Sequence, residues 1–220
     1  MAGTMTDTAP WRPTAQQLAD AYGRRVPDVV RPGLRVLFCG INPGLYSGAV
    51  GHHFARPGNR FWKALHRADF TRRCLSPFEE RELLRAGLGI TNLVARATAG
   101  ADELSARELR AGARRMYRTV RRFRPVVVAF LGIGAFRIAF DRPRATIGPQ
   151  PENIEGAQVW VLPNPSGLNA HYQLAALSAE FGRLKAAVSA ARRRHVRRPG
   201  TDPRACGAAA AAPAGSRSPR

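Results

Sequence analysis

The stretch Val36 to Trp62, VLFCGINPGLYSGAVGHHFARPGNRFW, decides the architecture: a short apolar run stops in a loop punctuated by Gly and Pro, which then leads into a helix. Val36, Leu37, Phe38 and Cys39 are continuously apolar, which suits a parallel strand buried on both faces better than a half-exposed antiparallel one. Gly40 ends the run. In Asn42-Pro43-Gly44, Pro43 fixes its own φ and biases Asn42 away from the α region, while Gly44 can take a positive φ. Asn42 is thereby expected at the carboxyl end of a strand, where ligands bind in open α/β sheets. Taken alone, Asn-Pro-Gly is equally a good turn.

Around this stretch, Thr14 reads as the cap of a short helix through Tyr22, and Asn59 as the cap of a helix whose Phe61, Trp62, Leu65 and Ala68 share a core-facing side. Ser76-Pro77 with Glu79 and Glu80 starts a helical segment, and a second strand is expected over Ile90 to Val94. Ser105 and Glu108 form a capping box opening an Arg-rich helix to about Phe123. Its Arg110, Arg114, Arg118 and Arg121 recur at helical spacing and either line a polyanion or form a solvated face. Val126 to Gly132 is the third strand, with a short helix from Ala135 to Phe140 behind it, and Gln158 to Leu162 is expected as the fourth. A last helix is expected over Gln173 to Ala190. Strands alternating with helices imply an α/β three-layer sandwich around a small, mainly parallel sheet.

Length allows one domain, expected at 13–190, between a polar arm at 1–12 and a basic, Ala- and Pro-rich tail at 191–220 that lacks the apolar content to fold alone. The chain carries 35 Lys plus Arg against 15 Asp plus Glu, a net charge of +20, which points to a polyanionic partner. Eight arginines and one aspartate put +7 of this in the tail, so the remaining +13 makes the domain basic in its own right. Cys39, Cys74 and Cys206 include no CxxC pair, so neither a zinc site nor a disulfide framework is indicated. Gly132 and Gly134 are a fragment of a nucleotide-binding pattern, but no third glycine follows in register, and no cofactor of any kind is expected. With no apolar signal core and no long apolar stretch, the reading is a reduced, intracellular protein without a membrane partner, cytoplasmic and nucleoid-associated in a bacterium.

The segment GINPGLYSGAVGHHFARPGNRFW closely resembles the first motif of the mismatch-specific uracil and thymine DNA glycosylases, within the uracil-DNA glycosylase superfamily. A second segment, NPSGLNAHY from Asn164 to Tyr172, resembles the DNA-wedge loop of that family and follows an apolar strand at about the expected separation. Together the resemblance covers roughly residues 33 to 187.

The resemblance implies a monomeric, monofunctional glycosylase that initiates base excision repair by removing uracil, ethenocytosine and, more weakly, thymine from mismatched double-stranded DNA. It assigns Asn42 the orientation of a water beneath C1′. Phe54 matches the aromatic that stacks on the flipped base, and backbone N–H groups around Ile41 and Phe54 are placed to stabilise the leaving base. His53 matches a histidine that assists water or leaving group in part of the family; as an ordinary loop histidine it would only hydrogen-bond backbone. An amide at Asn92 could read the Watson–Crick edge. Asn164, Ser166, Gly167, Leu168 and Asn169 fall in the DNA-binding wedge, where Leu168 would fill the vacated stack. Ala170 departs from relatives that carry Arg. Ser47 aligns with the wall facing C5 of the base, where thymine-processing relatives have Ala.

No lysine sits in either motif, so Schiff-base chemistry and strand cleavage are not expected. The rival reading is a catalytically silent nucleic-acid-binding protein with the same fold. A small α/β hydrolase is disfavoured by the lack of a GxSxG elbow.

Overall fold

The computed structural model describes residues 12–196, with side-chain surroundings through 190. The arm expected at 1–12, but for Arg12, and the tail beyond Val196 lie outside the described residues. Thr14 caps α1 (Ala15–Ala19) by accepting from the Gln17 backbone N–H at 3.2 Å. The apolar run forms β1 (Val36–Gly40), buried at every position. After it the chain is not one continuous loop: α2 (Leu45–Val50) intervenes, closed by Gly51 at φ 75°. The Asn59 side chain then accepts from the Phe61 N–H at 3.0 Å at the start of α3 (Phe61–Arg67).

A 3-10 helix, Pro77–Ala86, precedes β2 (Leu88–Asn92), so that strand lies two residues earlier than its sequence pattern suggests and ends on Asn92. The capping box forms as expected at α4 (Ala106–Phe123), with reciprocal bonds between Ser105 and Glu108. Next come β3 (Val127–Leu131) and α5 (Ile133–Ala139).

The sheet has five strands, not four. β4 (Gly148–Ile154) was unforeseen; it pairs antiparallel with β5 (Ala157–Leu162), with a register break between Pro149 and Asn153. Its Pro149 and Pro151 read as loop, and the structure accommodates them because β4 is an edge strand, where a missing ladder donor costs little. The last helix, α6 (Leu174–Val196), continues past Ala190.

Strand order is β2-β1-β3-β5-β4, and all pairs except β4–β5 are parallel. Alternate strand residues feed two cores. Val36, Phe38, Ile90 and Ala129 meet Phe61, Leu65 and Phe181 of α3 and α6 on one side. Leu37, Cys39, Val128 and Phe130 meet Leu109, Met116 and Val120 of α4 on the other. The result is the expected three-layer α/β sandwich. Phe61 and Trp62 are core residues, as their spacing predicts. Because β2 and β3 flank β1 on opposite sides, the connections diverge there and open a crevice at the carboxyl ends of β1 and β3.

Candidate active site

A cleft of about 760 Å³ occupies that crevice. Ile41, Asn42, Ser47, His53, Phe54 and Asn92 all line it. From the other rim, Asn164, Ser166, Leu168 and Asn169 join them, while Gly167 lies outside the lining, where an added Cβ would collide with the Gly58 carbonyl.

Asn42 follows β1, held by Pro43 as the turn chemistry requires. Its Nδ2 donates to the Pro43 carbonyl at 3.1 Å, the Arg96 carbonyl at 3.1 Å and Thr98 Oγ1 at 2.6 Å. Thr98 spends its own proton on the Gly100 carbonyl at 2.6 Å, so toward Asn42 its oxygen can only accept. The amide orientation is thereby determined: nitrogen into the protein, oxygen toward the cleft. Among the described residues no donor reaches that oxygen. Thr98 is buried and has no signature in the sequence that would have singled it out.

His53 is 1% exposed. Its Nε2 lies 3.0 Å from the Pro27 carbonyl, which can only accept, so Nε2 carries the proton and Nδ1 is left as an acceptor. Asn92 Nδ2 donates to that Nδ1 at 3.2 Å. Burial pushes the imidazole pKa down, opposed by the Glu80 carboxylate and by the bond to Pro27. Both ring nitrogens are therefore engaged with protein, and His53 orients Asn92. The Asn92 oxygen lies over Gly40, where a Cβ would collide with it. Behind, Arg115 donates to the Asn92 carbonyl and pairs with Asp28 at 3.2 Å.

Phe54 has a φ of 53°, a left-handed conformation that costs a bulky residue on the order of 1–3 kcal/mol. Two side chains hold it there. Glu80 accepts from the His53 N–H at 2.8 Å, and Ser47 Oγ accepts from the Ala55 N–H at 3.1 Å. The Phe54 ring stacks on Phe61, with centroids 4.2 Å apart at 26°. One face is thus occupied by core, and the ring lines the cleft. In sequence Glu80 looks only like a helix-start acid; in the structure Glu79 makes the Ser76 capping box and Glu80 turns inward.

The loop from Asn164 to Tyr172 is built on Arg60, another residue that sequence patterns do not mark. Its guanidinium donates to the carbonyls of Ser166 at 3.4 Å, Gly167 at 3.1 Å, Asn169 at 2.9 Å and Tyr172 at 2.8 Å. Asn164 Oδ1 accepts from Ser166 N–H, Ser166 Oγ from Leu168 N–H, and Asn169 Nδ2 donates to the Asn164 carbonyl. The side chains of Asn164, Ser166 and Asn169 are thus spent on the shape of this loop. Leu168 is left at the tip, 74% exposed.

Such a site can bind a planar ring against Phe54, address its edge through Asn92, and hold a water on Asn42. A family model described as the uracil DNA glycosylase superfamily matches residues 27–187, well over half of the chain. Among solved structures, the chain is similar to the solution NMR structure of a Methanosarcina acetivorans protein described as a candidate uracil DNA glycosylase. That match has 18% identity and a TM-score of 0.47, and covers 74% of this chain and 98% of the other.

Proposed function

The chain belongs to the uracil DNA glycosylase superfamily, and from that membership we propose that it excises uracil and related lesions such as ethenocytosine from mispaired double-stranded DNA, preferring uracil opposite guanine and acting more weakly on thymine. The observation that carries the reading is the determined orientation of Asn42, whose oxygen faces the cleft while its nitrogen is held by three acceptors.

A base within a duplex must rotate out to be attacked, at a cost of a few kcal/mol that a mispair lowers. Leu168, exposed at the tip of a loop stiffened by Arg60, is suited to fill the vacated stack. The extruded uracil stacks on Phe54. Its N3–H and O4 place a donor beside an acceptor, which complements the carbonyl and the remaining N–H of the Asn92 amide. The bond between C1′ and N1 then breaks. Its electron pair leaves with the base, and a water oxygen, accepted through one hydrogen by Asn42 Oδ1, adds to C1′. The proton lost by the water passes to solvent, the departing uracil anion takes one from solvent at N1, and the products are free uracil and an abasic site.

Asn42 cannot take that proton. A well-placed general base contributes roughly 10² to 10⁴ in rate, so a slow enzyme is expected. Electrostatic orientation of water and leaving group supplies the rest.

Single-turnover excision on duplexes carrying one G·U, A·U or G·T pair tests the reading, with Asn42→Ala alongside. The expected order is G·U, then A·U, then G·T, and Asn42→Ala should bind duplex within a few-fold of the parent while base release nearly stops. No excision by the parent from any duplex would favour a silent nucleic-acid-binding protein.

A further inference from the structure

We propose that the exposed arginine face of α4 is a second binding surface for a DNA phosphate backbone, separate from the cleft and able to hold another stretch of duplex. The proposal concerns an additional contact of the protein whose proposed substrate is DNA, but binding to undamaged duplex does not depend on catalysis.

α4 carries seven arginines and a single acid, Glu108. Glu108 is consumed, capping Ser105 and pairing with Arg96 at 2.6 Å. Arg115 points inward to Asp28, and Arg122 lies over the Phe123 ring. The other five, Arg107, Arg110, Arg114, Arg118 and Arg121, are exposed and lie opposite the buried Leu109, Ala113, Met116 and Val120. Among the described residues none of these five makes an ion pair or a side-chain hydrogen bond. Among the described residues Arg73, Arg85, Arg142 and Arg183 each pair with a glutamate, and other exposed arginines such as Arg24, Arg67 and Arg81 make no ion pair; what sets α4 apart is that five such arginines share one face of one helix. Like charges at i,i+3 and i,i+4 repel along a helix, and Arg107 in the first turn also opposes the helix dipole. A row of this kind is tolerated at a cost that a polyanion would remove.

The direction of α4 separates the row from the cleft. Residues 99–102, just before the helix, line the cleft. At the other end the Phe123 carbonyl accepts from Gly33 N–H, near the amino end of β1, and the chain turns through Arg124 into β3, whose last residue Leu131 is again at the cleft. The helix therefore runs away from the rim, antiparallel to the strands. At 1.5 Å per residue the row extends about 21 Å from Arg107 to Arg121. A duplex lying across the carboxyl ends of the strands meets the first turn of α4 at most, so Arg114, Arg118 and Arg121 face a different stretch of nucleic acid.

The test uses the full chain and the triple substitution Arg114→Gln, Arg118→Gln, Arg121→Gln, all on the solvent side of the helix. Binding to an undamaged duplex is measured against salt, bridging by energy transfer between separately labelled duplexes, and single-turnover release of uracil from a G·U duplex at saturating protein. Expected are a salt slope shallower by about 2 to 3, at about 0.9 per neutralised phosphate, loss of the bridging that the parent shows, and unchanged single-turnover release. An unchanged slope, a parent that does not bridge duplexes, or a release rate that falls with the slope would each overturn the proposal; the last would put the row on the same duplex as the cleft. A parent that bridges through α4 but releases no uracil would leave this surface standing and sink the glycosylase reading.

Discussion

The side-chain nitrogen of Asn92 donates to Nδ1 of His53 across 3.2 Å, while the opposite ring nitrogen of His53 is tied to the Pro27 carbonyl at 3.0 Å. A histidine whose motif would have it act on water or leaving group has both ring nitrogens bonded to protein here. Its neutral form is what holds the Asn92 amide at the cleft wall.

That role has a pH signature. The His53 pKa is lowered chiefly by burial, against the Glu80 and Asp28 charges that raise it and the His52 charge that adds to the lowering. Above the ordinary histidine value of about 6.5, folded and unfolded forms are both neutral and the residue contributes no pH dependence. As pH falls below that value the unfolded chain takes up the proton first, so stability declines and levels off below the depressed folded value. Glu79 and Glu108, held at about 2 by Arg73 and Arg96, titrate at lower pH and leave this window alone. Urea midpoints at pH 7.5 and 5.5 should fall more for the parent than for His53→Gln, and an equal fall would refute the assignment.

Thr98→Val removes the acceptor that fixes the Asn42 nitrogen without touching the water. A buried hydrogen bond left unmade costs about 1–3 kcal/mol, which corresponds to roughly 5- to 150-fold in single-turnover release if the whole loss falls on the transition state. Thr98→Ser should restore most of it. Serine rescue is the deciding measurement, because a merely steric role for Thr98 would leave Ser as impaired as Val.

Arg60→Lys offers a single ammonium in place of a fork that meets four carbonyls. The loop bearing Leu168 should loosen, slowing release from an A·U duplex more than from single-stranded uracil, where nothing has to be unstacked. Leu168→Ala should show the same order with the fold unperturbed, and should also slow A·U more than G·U. Identical losses on duplex and single-stranded substrates would remove Arg60 from base extrusion.

Ser47→Ala separates two demands on one hydroxyl. As the cleft wall facing C5, its loss should admit the thymine methyl, a gain bounded by the roughly 10- to 200-fold that one methyl is worth. As the acceptor for the Ala55 N–H at 3.1 Å, its loss should relax the left-handed Phe54 and slow uracil release by the few-fold that one net hydrogen bond of about 1 kcal/mol allows. The expected result is a modest fall on G·U with a raised G·T to G·U ratio. A ratio that does not move places the discrimination elsewhere.

Much of the fold and part of the site were legible before any coordinates. The apolar run at Val36 to Cys39, the Ser105–Glu108 box and the Asn-Pro-Gly turn encode their structure in adjacent residues, so reading them needs only burial and local backbone preferences. The same locality put Asn42 at a strand end, whereas Asn92 is a strand end only because β2 lies two residues earlier than its pattern suggests, and Leu168 was marked by resemblance to a wedge loop. β4 escaped notice because its prolines are tolerable only at an edge, and whether a strand is at an edge is a property of the whole sheet.

What the residues do to one another was decided by the tertiary structure. Arg60 meets the Tyr172 carbonyl across 112 positions, Asn42 meets Thr98 across 56, and Glu80 meets His53 across 27. A side-chain donor or carboxylate carries no local mark of its partner, since the pairing depends on where the chain returns after two or three elements have packed. Sequence alone therefore determined, through turn chemistry and hydrophobic periodicity, that Asn42 would stand at the mouth of β1, while the other cleft residues were marked by the family resemblance of their two segments. Only the packed sheet and helices decided which of them face a substrate and which, like His53 and Ser47, spend their polar atoms holding the others in place.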